Sequence, residues 1–399
     1  MYKKLLAIVC SSLILLSGCL PLDNLKRNEV EKEDSSENKN EKAIPIPNVN
    51  SQEDYYKSLK NYEPGVARGE ISYGVDNRID VDEVVTGLMR LSKDTFSIDD
   101  YYFQEGQYIQ KDTIRNWLGR SSEKDGESSS AFLQKGLNPA INEKAYKNAD
   151  VDKRKEMLKN NPKMLSYIVE QNYLKDSGDN SVKLGGISIA LSFNSTYYYT
   201  VTDKQGLLHR GEKNLDNSKV KEFAYKTGQE VVNRLRQHPE LQDVPIVVGL
   251  FMEEEHGAVV PGNYFATSVV KAGQTSVDWE KVNEDYYFFP SDRAEEDHRE
   301  DHAVFTQFQA EITEYFPNYI GVIGKALYRN DKIAKMTIEI PMQFKGKAEV
   351  ISFTQYVNYL VKQYYPDETV EVNIKSSIDK IESLIISDPT KEDSMVHIY

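Results

Sequence analysis

The sequence predicts an α+β fold with largely antiparallel sheets and packed helices. Three observations predict it. Amphipathic helical stripes alternate with strand-like stretches. The strands come in pairs whose links are too short for the crossover that parallel neighbours need. Tyrosine is abundant, at 26 residues, and often doubled or tripled, as at Tyr197-Tyr198-Tyr199 and Tyr364-Tyr365, which suits half-buried strands.

The elements follow in order. Val84, Leu88 and Leu91 share one face of a helix over Val81–Leu91, and a second helix carries Ile114, Trp117 and Leu118. Gly119 to Ser130 is a loop rich in Ser, Glu and Lys, and Met164–Lys175 alternates as a strand. Val182–Phe193 and Thr196–Thr202 read as two strands joined at Asn194-Ser195, with Gly185-Gly186 marking a bulge. Val220, Phe223, Ala224, Thr227, Val231 and Leu235 form a helical stripe that His238-Pro239 ends. Val244–Met252 and Tyr264–Lys271 are strands. A related order then recurs: a short strand at Tyr286–Phe289, a stripe of Val304, Phe308, Ile312 and Tyr315, and strands over Tyr319–Tyr328 and Lys332–Met342. It ends with a stripe from Val350 to Val361, stopped at Pro366, and a strand over Glu368–Ile378. This reads as residues 63–180 forming an N-terminal α+β region and 181–399 a C-terminal one. Within the latter, Val182–Lys271 and Tyr286–Ile378 would be two related halves, without a residue-level repeat.

The N-terminus carries the most specific signal. Lys3 and Lys4 precede a short apolar run from Leu5 to Leu16, and Leu16-Ser17-Gly18-Cys19 follows. Basic start, apolar middle and small residues before a cut mark a secretory signal, and the run is shorter than the roughly 20 residues that span a bilayer. A cysteine just after the cut makes 1–18 a lipoprotein signal peptide, cleaved between Gly18 and Cys19, with a diacylglyceryl group on the Cys19 thiol holding the protein on the membrane. Residues 19–62, rich in Lys, Glu, Asn and Ser, then read as a disordered tether with a reach of roughly 35 Å.

Composition bounds the partners. Removing residues 1–18, which hold two lysines and no acid, takes the formal net charge from −14 to −16. Such a surface repels nucleic acid and anionic lipid headgroups, so nucleic acid is not a partner and the lipid chains do the anchoring. The two cysteines are Cys10 and Cys19. One leaves with the signal and the other is lipidated, which excludes a disulfide, a thiolate zinc site and thiol catalysis.

Candidate chemistry is sparse. His298 and His302 stand four apart, the spacing by which two histidines on one helix face grip a metal. Neither zincin order is met, because Arg299 follows His298 and Asp301 precedes His302. The pair reads as the solvated start of a helix, where acids favour the dipole, with a metal site as the alternative. Glu253-Glu254-Glu255-His256 follows an apolar strand and reads as a charged loop after an edge strand, with oxygen ligands or an acid–base pair as the alternative. No nucleophile elbow or phosphate-cradling glycine loop is present, and no cofactor motif. Gly136-Leu137-Asn138-Pro139 is a turn without known chemistry. The segment before the cut, Ser12, Leu13, Ile14, Leu15, Leu16, Ser17 and Gly18, is an uncharged apolar heptapeptide that an oligopeptide receptor can bind.

Over nearly its whole length the chain resembles the CamS family of Gram-positive lipoproteins, the sex-pheromone precursors. The resemblance rests on Leu16–Cys19, the polar tether, Arg115-Asn116-Trp117-Leu118, Gly136-Leu137-Asn138-Pro139-Ala140, Val247-Val248-Gly249-Leu250-Phe251 and Val259-Val260-Pro261-Gly262-Asn263-Tyr264. It implies lipoprotein-processing enzymes as partners, placement on the outer face of the cell membrane, and release of a heptapeptide, here Ser12–Gly18, that induces plasmid conjugation in enterococcal donors through a peptide receptor. These motifs imply no reaction. The mature domain is then expected to be a binding or envelope-interaction module, with two alternatives: a surface metal-dependent hydrolase using His256, His298 and His302, or a cell-wall glycan-binding module presenting the tyrosine clusters.

Overall fold

The computed structural model describes residues 41–43, 55–59, 62–70, 78–121, 135–178, 181–315, 321–344, 346–376 and 378–399. In chain order the elements are β1 (Glu41–Ala43), β2 (Lys57–Ser58), α1 (Arg78–Ser92), β3 (Tyr101–Glu105), α2 (Lys111–Trp117), α3 (Glu143–Asn148) and α4 (Val151–Asn160). Then come β4 (Leu165–Gly178), β5 (Ser181–Phe193), β6 (Thr196–Thr202), β7 (Leu208–Asn214), α5 (Asn217–Leu235), β8 (Ile246–Met252), β9 (Asn263–Val270) and β10 (Glu280–Lys281). The remainder is β11 (Glu284–Phe289), α6 (Asp292–Asp297), α7 (Arg299–Tyr315), β12 (Ile323–Arg329), β13 (Lys332–Met342), α8 (Lys347–Tyr364), β14 (Val370–Ser376), β15 (Ile381–Ser387) and β16 (Met395–Ile398). Among the described residues no helix is long and apolar enough to cross a membrane.

The fold is α+β, as the sequence predicts. A first sheet runs β10-β9-β8-β5-β4-β3-β2, with β1 added to β5, and a second runs β11-β12-β13-β14-β15-β16. Most neighbours are antiparallel, but β2/β3, β5/β8 and β13/β14 are parallel. The link from β2 to β3 contains α1, and α5 and α8 make the other two crossovers, so the expectation of links too short for parallel pairing fails at these three places. Thr196–Thr202 does not pair with the preceding strand either. It forms a separate hairpin with β7, whose alternating exposed and half-buried residues left no apolar pattern to read.

Both sheets share one connectivity: an antiparallel pair, a crossover helix, a parallel return and a further antiparallel strand. This is β4-β5-α5-β8-β9 in the first and β12-β13-α8-β14-β15 in the second. The boundary expected at 180/181 falls inside the β4–β5 hairpin. The two cores divide instead between Lys281 and Glu284. Tyr55–Leu59, inside the stretch expected as tether, contains β2, and Tyr56 is buried with its hydroxyl donating to Phe96 O at 2.5 Å.

The first sheet is covered on both faces. Residues of α2 and α5, among them Trp117, Val220 and Val231, pack on one face, and Val84 and Leu88 of α1 on the other. That is why β8, Ile246–Met252, is apolar and buried throughout; a strand covered on both sides has no reason to alternate. The second sheet has Phe305, Phe308, Phe353 and Val357 of α7 and α8 on one face. Its other face carries the cross-strand ion pairs Lys335–Glu371 and Lys375–Glu339, each at 3.1 Å, so Met336, Ile338 and Ile340 alternate with polar residues. Gly185-Gly186 is a bulge: the register of β4 against β5 shifts there.

Candidate functional site

Cys19 and the segment Ser12–Gly18 lie outside the described residues. The three histidines are described, and they stand in separate settings. His298 ends α6 with φ −136° and ψ 59°, so the chain breaks out of the helix there. Its ring stacks on Tyr328 at 3.7 Å and meets Tyr287 edge-on at 4.5 Å. His302 sits in the first turn of α7 with its ring over Phe289, 6.4 Å away. The break between α6 and α7 denies the pair the single helix face that their spacing suggests. His256 lies in the loop after β8, where its backbone N–H donates to the Tyr198 hydroxyl at 3.0 Å. Among the described residues no group of three or more His, Cys, Asp or Glu is placed to hold a metal ion.

Glu253-Glu254-Glu255-His256 follows an interior strand, not an edge, since β8 lies between β5 and β9. Its first acid is buried, 2% exposed, and accepts the hydroxyls of Ser192, at 2.6 Å, and Ser166. The loop turns back onto the strand end so tightly that a Cβ on Gly262 would lie 1.9 Å from Met252 O, which only glycine permits. From α1, the buried Asp80 pins the loop at both ends, accepting N–H from Glu254 at 3.0 Å and from Gly262 at 2.5 Å. The motif Val259–Tyr264 is therefore a clasp rather than chemistry.

Burial pushes the Asp80 carboxyl up to about 8, reinforced by the charges of Glu253 and Glu254 and opposed by the two N–H donors. The folded chain thus holds a proton that the unfolded chain has released by about pH 4. This group favours folding fully below that pH, and its contribution falls as pH rises to about 8. Between pH 5 and 8 the wild type is expected to lose stability relative to Asp80→Asn, which titrates nothing there; urea midpoints of both across that range check it. A flat difference would remove the assignment.

Two recesses are more promising. A cavity of about 310 Å³ lies under residues 62–70, between α1, the end of β3 and the first half of β4. Its walls are apolar, with Val85 and Met89 from α1, Phe103, Ile114 and Val169. The strap over it is stitched down. Gly65 N–H donates to Glu105 at 2.7 Å, Val66 N–H to Gly106 O at 3.0 Å, and Glu70 pairs with Lys111 and Arg115 at 2.7 and 3.0 Å. Beneath it Glu170 accepts backbone N–H from Gln107, Tyr108 and Ile109 at 2.7 to 3.2 Å, and the Asn172 amide at 2.6 Å. Burial pushes its carboxyl up against the pull of those donors. Gly106 has no room for a side chain, because a Cβ would lie 2.5 Å from that of Glu170.

The second recess, about 860 Å³, lies where α1 faces the second sheet. Its floor is an ion network. Arg90 donates to Glu83 at 2.6 Å and to both oxygens of Glu284 at 3.1 and 2.7 Å. Arg329 adds a bond to Glu284 at 2.9 Å, and the Tyr286 hydroxyl reaches Glu83 at 2.5 Å. Burial pushes the Glu284 carboxyl up, but Arg90 and Arg329 outweigh it and hold it below the usual range. This network joins α1 of the first sheet to β11 of the second. Sequence reasoning missed both recesses, since their walls come from segments far apart in the chain.

The stretches that carried the resemblance also meet in space. Leu137 N–H donates to Trp117 O at 2.8 Å, which joins the Gly136–Ala140 turn to the end of α2. A family model described as CamS sex pheromone cAM373 precursor matches residues 62–393. The structure of a sex pheromone precursor from Lactobacillus salivarius subsp. salivarius UCC118 is similar, with 28% identity and a TM-score of 0.73 over 87% of this chain and 96% of that one. The C-terminal domain of the sex pheromone staph-cAM373 precursor from Staphylococcus aureus is 28% identical, with a TM-score of 0.66 over 82% and 98%. Comparison with curated proteins finds no match. The match over most of its length shows that the chain belongs to the CamS family of sex pheromone precursors.

Proposed function

We propose that the chain is a lipid-anchored, extracytoplasmic pheromone precursor. The signal is cut before Cys19, the Cys19 thiol carries the lipid, and Ser12–Gly18 is released as an uncharged heptapeptide that induces plasmid conjugation. The mature domain stays on the outer face of the membrane as a binding module. The observation that carries this reading is Leu16-Ser17-Gly18-Cys19, after a basic start and an apolar run, ahead of a CamS domain. The apolar cavity under the strap supports the binding role, being concave and lined by apolar groups with few polar ones.

Two measurements test it. Cells fed an alkyne-tagged fatty acid should label the wild type and leave Cys19→Ala unlabelled, with its signal uncleaved; equal labelling of both would sink the anchor. Synthetic Ser12–Gly18 should induce mating of a responsive plasmid donor at nanomolar concentration. Silence at micromolar peptide would confine the segment to targeting.

A further inference from the structure

The cavity runs alongside a strand rather than over a sheet face. Five consecutive residues of β4, Tyr167 to Gln171, line it. Successive side chains of a strand point to opposite faces, so only a space along the strand's edge meets all five. The neighbouring β3 pairs with Gln171–Lys175 and stops at Glu105, after which Gly106 N–H donates to Glu170 O at 3.1 Å. By the two-residue period, the backbone N–H and C=O of Ile168 point the same way as those of Glu170, into the space beyond β3. Among the described residues no strand takes up the pairing there. The charged groups at hand are already engaged. Glu170 is held by its backbone donors and Glu105 by Gly65 and Tyr62. Arg68 lies 4.0 Å from Glu105, over the Tyr62 ring.

We propose that this recess binds an uncharged, apolar peptide in extended form, which adds to the edge of β4 as a short strand. The proposal rests on reading the mature domain as a binding module and names its ligand class. The peptide main chain pairs with Ile168, and alternate side chains enter the cavity between Ala67 and Met89. A charged side chain is refused, because its burial would go uncompensated. At about 310 Å³ the space is roughly twice that of a cavity holding one benzene, enough for two aliphatic side chains. The chain's own Ser12–Gly18, uncharged and with four consecutive apolar residues, is a suitable probe.

The test uses the full chain in phospholipid nanodiscs and a fluorescent synthetic Ser12–Gly18 peptide. Saturable binding is expected. Ile14→Pro with Leu16→Pro, or Leu13→Pro with Leu15→Pro, removes the peptide's N–H donors along one or the other edge, and Ala67→Trp in the protein fills the cavity; the weaker-binding proline peptide and the Ala67→Trp protein should each lose at least about tenfold. Met89→Trp fills the space from the opposite wall and serves if Ala67→Trp misfolds. Amide hydrogen exchange over residues 165–170 should slow when the peptide binds, a response that peptide dissolved in lipid cannot produce. No binding, undiminished binding of both proline peptides, or unchanged exchange at 165–170 overturns the proposal. A peptide that binds but induces no mating would fail the pheromone reading alone.

Discussion

Replacing Arg90 with alanine is expected to destabilise the domain by about 3–5 kcal/mol at neutral pH. The guanidinium serves two largely buried carboxylates, the side chains of Glu83 and Glu284 being 8% and 3% exposed. Removing it leaves both buried, with Glu284 keeping only Arg329 and Glu83 keeping the Tyr286 hydroxyl. The loss should depend on pH. In the wild type the Glu284 pKa is held low, so its contribution is present above the ordinary carboxylate range and is lost as pH falls through the lowered value. In the variant, protonation relieves the stranded Glu284, which has lost its Arg90 partner. Urea unfolding at pH 7 and near pH 4 should therefore show a large gap that narrows in acid. A loss below about 1 kcal/mol at pH 7, the level of a surface ion pair, would mean that the network adds little to the joint between the two sheets.

Asn138→Ala is expected to cost a similar amount, about 3–5 kcal/mol. Asn138 is fully buried and uses its amide completely. The amide NH2 donates to Leu118 O at 3.0 Å and Leu165 O at 2.8 Å, and the amide oxygen accepts from Met164 and Leu165 N–H, both at 2.9 Å. Alanine leaves these backbone groups unpaired where solvent is scarce. Asn138→Asp keeps the acceptor but turns an oxygen toward two carbonyls, so it should be little better. Thermal melts of the three proteins check the order, and an alanine variant within about 1 kcal/mol of wild type would show that water replaces the amide. On this account Gly136-Leu137-Asn138-Pro139 serves architecture, joining the end of α2 to the start of β4.

What could be read from the sequence was local periodicity with a single cause. The six stripe residues of α8, Val350, Phe353, Thr354, Val357, Leu360 and Val361, are all buried, as their spacing predicts, and β13 occupies Lys332–Met342, the predicted range. Elements with little to bury left no such trace. Only Leu158 is buried on α4, and β7 is nowhere fully buried. Partner choice was hidden as well. Val182–Phe193 was legible as a strand, but its pairing with β8 depends on a helix and a hairpin between them. Asp80 resembles any acid in the first turn of a helix, and nothing in its neighbourhood announces that it meets Glu254 and Gly262 more than 170 residues away. The cavity depends on where β3 stops relative to β4, a matter of register that no composition encodes.

Both sheets finish in brief strands. The first ends in β10 and β2, two residues each, and the second in the four residues of β16. The six-residue β11 at its other end lies against β9. At these ends a few unpaired amides give another copy little to nucleate on. With the strong negative charge of the chain, −14 overall, which adds repulsion between copies, concentrated solutions should stay clear, free of fibrils and gels.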